Sequence, residues 1–245
     1  MTLSKHTVFE EYVWRLFVQQ GEVAEVRILK VSGKSPAWQG YSRGTVSGYF
    51  DCHEAFCKAI QAANKARHSG IYFTLQVIDP RLIGRAFNRL KAAEATTSDQ
   101  NVIAYRWLPV DIDPKRPSGV SSSDSELKEA LRIRNGVAQY AMAELRFSSP
   151  IKAVSGNGGH LLFRLQDMPV SDQTKLFIQS TLAALSEKFS NDSVSIDTTV
   201  YNPAQIWKLY GTTARKGDEV PAGLNREARP HRMAYIDDLG DFTHG

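Results

Sequence analysis

Cysteine is nearly absent from this chain. Its 245 residues contain two, Cys52 and Cys57, too few for a disulfide framework or for a zinc site built from four thiolates. Even with His53 as a third possible ligand, they read as ordinary thiols of a reducing compartment. No apolar run approaches the ~20 residues that span a bilayer, and a basic-then-apolar leader is missing at the start. A cytoplasmic protein with no membrane partner is therefore expected. Internal repeats and low-complexity stretches are lacking as well. So is a large charge imbalance, because 30 Lys plus Arg stand against 26 Asp plus Glu, leaving +4 and a pI of about 9.0. That balance tolerates a nucleic-acid partner without requiring one. What remains is a globular composition, 42% hydrophobic and 23% charged, long enough for one large domain or two smaller modules.

The chain is organised around Leu108-Pro109-Val110-Asp111-Ile112-Asp113-Pro114. The preceding Val102–Trp107 run is β-branched and aromatic, and Pro114 ends it, so a strand with a hard stop is predicted. Strand side chains alternate faces. Asp111 and Asp113 then project together while Ile112 points to the core. Two carboxylates so close repel each other unless a cation lies between them, and hard oxygen ligands suit magnesium or manganese. An isolated Asp-x-Asp also occurs as a plain polar strand end, so other stretches must decide.

Before this strand, helical spacing marks Val8–Gln20 through Phe9, Tyr12, Val13, Leu16 and Phe17, with Gly21 as the stop. Val23–Val31 alternates like a half-buried strand. Ser32–Gly44, dense in glycine and holding Trp38, Tyr41 and Arg43, reads as a loop. Thr45–Phe50 reads as a short strand, and Asp51 as the cap of a helix to about Ala66. Ile71–Ile78 reads as one strand, and Asp79-Pro80 as the start of a helix with Arg81, Arg85, Arg89 and Lys91 on its polar side. After Pro114, Ser123-Asp124-Ser125-Glu126 has the capping-box pattern ahead of a long amphipathic helix. Ile151–Ser155 and His160–Leu165 read as a hairpin, Ser171–Phe189 as a helix, and Val194–Val200 and Gln205–Tyr210 as strand-like pieces. Arg232–Ile236 closes the series. The expected class is α/β (α+β). It comprises an N-terminal α/β module over residues 1–100 and an RRM-like antiparallel sheet backed by helices over residues 101–245.

Three further stretches carry chemistry. In Ser155-Gly156-Asn157-Gly158-Gly159-His160, a hairpin closed by four residues would set Ser155 opposite His160. Its glycines would let backbone amides approach an anion, an arrangement suited to phosphate. Asp197 is the one charged residue of Ser195–Val200. It is either exposed, or paired, or a third carboxylate for a two-metal site. Lys208 sits among apolar neighbours, and Arg215 and Lys216 follow on a glycine-bounded loop. This is not a Walker A loop, but its cations could offset triphosphate charge.

Taken together, Asp111-Ile-Asp113-Pro, Ser155-Gly-Asn-Gly-Gly-His160, Ile196-Asp197, Lys208-Leu-Tyr-Gly-Thr and Arg215-Lys216-Gly217 resemble, in order and spacing, the archaeo-eukaryotic primase superfamily. The chain looks like the primase-polymerases of plasmids, phages and CRISPR-associated systems. Ser47–Phe50, Ile71–Leu75 and Arg85–Leu90 are similar to the front half of that group. Gln76 and Gln205 depart from it, standing where Asn and Arg are expected. The resemblance implies a two-module catalytic core and template-directed nucleotidyl transfer on single-stranded DNA, covering both primer synthesis and extension. It implies two Mg2+ or Mn2+ ions on Asp111, Asp113 and Asp197. Ser155, Gly156, Asn157 and His160, with Lys208, Arg215 and Lys216, would then bind the phosphates of an NTP or dNTP. Template and primer would run over Trp38, Tyr41, Arg43, Arg85 and Arg89, with a helicase or primer-stabilising domain in the same or a partner chain. Two other readings compete. A metal-dependent glycosyltransferase also uses Asp-x-Asp but needs neither the hairpin nor Asp197. In a replication-initiation or nucleic-acid-binding module without polymerase chemistry, loss of Asp111 would leave function intact.

Overall fold

A computed structural model describes residues 12–242, without the side chain of Gln39. Val8 and Phe9 of the first predicted helix lie outside the described residues. The chain forms two compact units, one comprising residues up to Ala104 together with Pro203–Thr213, the other Tyr105–Asn202 together with residues from Ala214 on. The division expected at residue 100 is close for the first crossing. It misses Pro203–Thr213, which belongs to the first unit.

In the first unit a helix over residues 12–17 (α1) precedes β1 (Ala24–Ser35) and β2 (Trp38–Phe50). These two strands pair antiparallel along nearly their whole length, from Ala24↔Phe50 to Ser35↔Trp38. The predicted Ser32–Gly44 loop is thus the outer half of a β-ribbon. Its Gly33, Gly40 and Gly44 all have positive φ, and the register slips between Leu29 and Val31. Glycines that bend a ribbon look like loop residues in a sequence. Helix α2 (His53–Asn64) starts from Cys52 as N-cap, one residue after the expected Asp51.

The predicted strand Ile71–Ile78 divides into β3 (Gly70–Thr74), which joins β1, and β4 (Val77–Ile78), which pairs with the start of β6. After Asp79-Pro80 the chain makes one short 3-10 turn, Pro80–Arg85, not a long helix. It then enters β5 (Lys91–Ala92). With the later β10 (Ile206–Lys208), these strands form a sheet in the order β10-β3-β1-β2-β5. Val23, Tyr49, Ile78, Leu82, Ala86 and Val102 pack into one core cluster.

The second unit follows the predicted β-α-β-β-α-β order. It runs through β6 (Val102–Pro114, whose first residues belong to the first unit), α3 (Asp124–Ala143), β7 (Ile151–Val154), β8 (Gly159–Pro169), α4 (Asp172–Phe189) and β9 (Val194–Ile196). Strand order is β7-β8-β6, with β9 on the other edge of β6 and β13 (Tyr235–Asp238) added beside β7. Between β10 and β13 lie the short β11 (Thr213–Ala214) and β12 (Arg232–Met233). The α3 capping box forms as its sequence predicts. Ser123 Oγ accepts from the Glu126 amide, and the Glu126 carboxylate accepts from the Ser123 amide at 2.9 Å. Ser171 caps α4 through the Thr174 amide. Ile178, Leu182 and Leu185 form the buried stripe of α4, each burial favouring the fold by roughly 1.5–3 kcal/mol.

Candidate active site

The end of β6 and the short β9 build the carboxylate cluster. Ile112 is fully buried, so Asp111 and Asp113 turn to the opposite face, as the alternation predicts. In the β6–β9 ladder Ile112 is opposite Ile196 and Asp113 opposite Ser195. Asp197 is therefore opposite Asp111, and its amide donates to the Asp111 carbonyl at 2.9 Å. Residues directly opposite share a face, with Cβ atoms about 4.5–5.5 Å apart. Asp111 and Asp113 thus share one face at one end of the sheet, with the backbones of Asp197 and Ser195 opposite them across the ladder. The sequence reading did not single out Ser195, although its parity with Asp197 would have shown it. Asp197 Oδ1 accepts from the amide and hydroxyl of Thr199 at 2.8 and 2.7 Å, which fixes its rotamer.

The glycine turn brings His160 to this face. Ala153 is opposite His160 and Val154 opposite Gly159, and the Ser155 amide donates to the Gly158 carbonyl. The connection is therefore a two-residue turn, Gly156-Asn157, and Ser155 lies opposite Gly158 instead of His160. Gly156 has φ +101, the positive value that two-residue hairpins place at the first turn position. Ser155 Oγ accepts from the amides of Asn157 and Gly158 at 3.3 and 2.9 Å. Those two amides are engaged, so the expected cradle of free amides is not what they offer. Asn157 Oδ1 accepts from the Ser122 amide at 2.9 Å, tying the turn to the segment after β6. The glycines are required by packing: a Cβ on Gly158 would strike the Ile112 carbonyl and Asp113 Oδ1. Behind the turn Arg134, also missed in the sequence, is buried among partners. It donates to the Ala153 carbonyl and the Asp237 carboxylate, both at 2.9 Å.

Basic side chains flank the carboxylates. His160 is 3% exposed, and its Nε2 lies 3.4 Å from Asp111 Oδ1. Arg116 Nη1 is 3.6 Å from Asp113 Oδ1 while its guanidinium also donates to the carbonyls of Val120 and Pro114. The loops after β6 and β11 are joined backbone to backbone, Asp218 N to Gly119 O and Ser121 N to Asp218 O. That junction places exposed Lys216 where its charge acts on Asp113. Burial, and then the negative charge of Asp111, push the Asp113 carboxyl up to about 6, against the pull of Arg116, Lys216 and His160.

Asp111 Oδ1 is buried and makes no hydrogen bond. A buried acceptor left so costs about 1–3 kcal/mol, more when charged, and a divalent cation would relieve both that cost and the repulsion with Asp113. The donor set, all hard oxygen, fits Mg2+ or Mn2+. Asp111, Asp113 and Asp197 are the residues that would hold it. Among the described residues no group of three or more His, Cys, Asp or Glu side chains lies close enough together to hold a metal ion as it stands.

Lys208 belongs to the first unit, where it is 5% exposed. Its ammonium donates to Thr212 Oγ1 at 2.8 Å and the Thr213 carbonyl at 3.2 Å, and it lies over the Tyr72 ring. That set of partners accounts for a buried lysine structurally. Arg215 is half-buried beside Lys216. Trp38, expected to stack on bases, is buried with its indole NH directed at the Gly33 carbonyl, so it is a core residue of the ribbon. Tyr41, Arg43 and Arg89 are exposed as expected, while Arg85 is half-buried over the Tyr49 ring. No protein-family model and no curated protein matches the chain. Among the described residues no helix is long and apolar enough to cross a membrane.

Proposed function

We propose that the second unit is the catalytic module of a DNA-dependent primase-polymerase, which joins nucleotides on a single-stranded DNA template in the presence of Mg2+ or Mn2+. The observation that carries this reading is the β6–β9 register, which sets Asp197 opposite Asp111 and beside Asp113 on a face that also receives His160. Strand pairing brings the Asp111–Asp113 pair, His160 and Asp197, at least 37 positions apart in the chain, to one end of the sheet, which a plain polar strand end would not require. Bound divalent ions would supply activation of a 3′-hydroxyl and stabilisation of the leaving pyrophosphate. Asp111, Asp113 and Asp197 hold and orient them. His160, whose Nε2 lies 3.4 Å from Asp111 Oδ1, would donate from Nε2 to an incoming phosphate. Arg116 and Lys216 would offset the negative charge of the triphosphate. A helicase or primer-stabilising partner belongs to the same proposal.

The test is synthesis on unprimed single-stranded DNA, with NTPs and dNTPs supplied separately, in magnesium and in manganese. Products of defined length that disappear in Asp111→Asn support the reading. Absence of product under all four conditions, with nucleotide sugar hydrolysed instead, would favour the glycosyltransferase.

A further inference from the structure

The first unit contains a pocket of about 110 Å³ with Ser47, Tyr49, Arg85 and Lys91 among its lining residues. Its remaining walls are Ala86, Ala93 and Ala95, and Glu94 stands at the rim. Glu94 and Ala95 are exposed, so the pocket opens to solvent. Three alanines leave the space unfilled, and the polar character comes from a guanidinium, an ammonium and two hydroxyls.

The guanidinium is fixed before any ligand arrives. Arg85 Nη1 donates to the Tyr49 hydroxyl at 3.2 Å and the Thr96 carbonyl at 3.1 Å, and its Cζ lies 6.0 Å from the Tyr49 ring centroid. Lys91 pairs with exposed Glu94 at 3.1 Å, an attachment worth little in water. Beneath the pocket, Glu25 is fully buried. It accepts from Ser47 Oγ at 2.6 Å, from the Thr97 amide at 3.0 Å, and from Arg27 at 2.9 and 2.8 Å. One buried carboxylate therefore ties the floor at Ser47 to the segment carrying the far wall. A rigid wall, a held guanidinium fork and a second cation describe an anion site, and the fork geometry matches phosphate.

Size selects the ligand further. The space of about 110 Å³ is enough for a phosphate group, with the rest of a larger ligand left outside in solvent. Next to Ala86, Phe87 is 63% exposed and offers a face for a base to stack upon. We infer that this pocket binds a phosphate group, either free or as a phosphodiester of single-stranded nucleic acid. The inference does not depend on the carboxylate site, which lies in the other unit.

The test uses the whole chain in EDTA, so that metal-dependent nucleotide binding does not contribute. Inorganic phosphate is titrated by calorimetry and fluorescein-labelled dT10 by anisotropy, on wild type, Arg85→Lys, Lys91→Gln and Phe87→Ala. Arg85→Lys keeps the charge and loses the fork, and Lys91→Gln is a rim change that leaves the buried network intact. A drop of about tenfold or more in dT10 affinity in both cation variants, with a smaller drop in Phe87→Ala and no phosphate heat, identifies a backbone phosphate. Phosphate heat that is lost in both cation variants, with dT10 affinity unchanged, identifies a free phosphate. Affinities for both probes equal to wild type in Arg85→Lys and Lys91→Gln overturn the inference.

Discussion

The Asp113 carboxyl is raised to about 6 because it is half-buried beside a second carboxylate. Below pH 6 the folded chain holds a proton there. The unfolded chain releases that proton near the ordinary carboxylate value of about 3.9. Stability contributed by that proton is present at acid pH and is lost as pH rises from about 4 through 6. Above pH 6 the pair is charged and strained, which is also the state a divalent ion requires. Asp113→Asn is expected to abolish nucleotide incorporation and yet to raise the metal-free Tm at pH 7.5. Relief on the order of 1 kcal/mol corresponds to ~2–4 °C in a chain of this size. At pH 5, where wild type is already protonated, the difference should shrink. A mutant less stable than wild type at pH 7.5 would mean that Asp113 is a structural ligand of the fold. The Asp-x-Asp pair was legible in the sequence because period two is a local rule. The role of Ser155 was not, because a one-residue difference in turn length changes which residue it faces.

Among the elements, the hairpin of β7 and β8 depends on how closely it approaches β6. Gly158 packs against the Ile112 carbonyl and the Asp113 carboxylate, so Gly158→Ala must displace one of them. Overpacking of this kind costs ~1–3 kcal/mol, and the displaced group carries the site. Thermal melting should fall by several degrees and incorporation should fall further than the stability loss explains. Unchanged activity would show that the turn does not position the carboxylates.

In the first unit, Glu25 holds Ser47, Thr97 and Arg27 together. Glu25→Ala leaves Arg27 without its buried partner and should destabilise the protein by about 3–5 kcal/mol, measured by urea titration. A loss below 1 kcal/mol would contradict the role assigned to it. Helices α3 and α4 and the β-α-β-β-α-β order were legible from periodicity and capping. The β1–β2 ribbon was not, because Gly33, Gly40 and Gly44 imitate loop composition while serving bends in paired strands. Buried Glu25 gave no signal, since alternation alone marks it as an exposed position.

At the scale of the whole molecule, the chain leaves the first unit at Ala104 and returns to it for Pro203–Thr213, where Ile206, Trp207 and Lys208 pair with Thr74, Phe73 and Tyr72. A partner more than 130 positions away leaves no local trace, which is why the predicted boundary at 100 caught only one crossing. In the second unit, Arg116 and Lys216 are brought to Asp113 by the loop-to-loop junction at Gly119 and Asp218. Making a first dinucleotide requires holding a second nucleotide by its phosphates without help from a duplex. Lys216→Ala is therefore expected to reduce de novo synthesis on the order of two- to fivefold more than extension of a preformed primer, assayed on matched templates. Equal losses in the two assays would remove the initiation role.

The central claim, that the carboxylate face carries out template-directed nucleotidyl transfer, is tested most directly by extending a primer on homopolymer templates with each nucleotide supplied singly, in manganese. The account predicts that only the nucleotide complementary to each template is incorporated, and that Asp111→Asn and Asp197→Asn both abolish incorporation while remaining folded. Incorporation that ignores the template, or persists at wild-type rate in either variant, would contradict it.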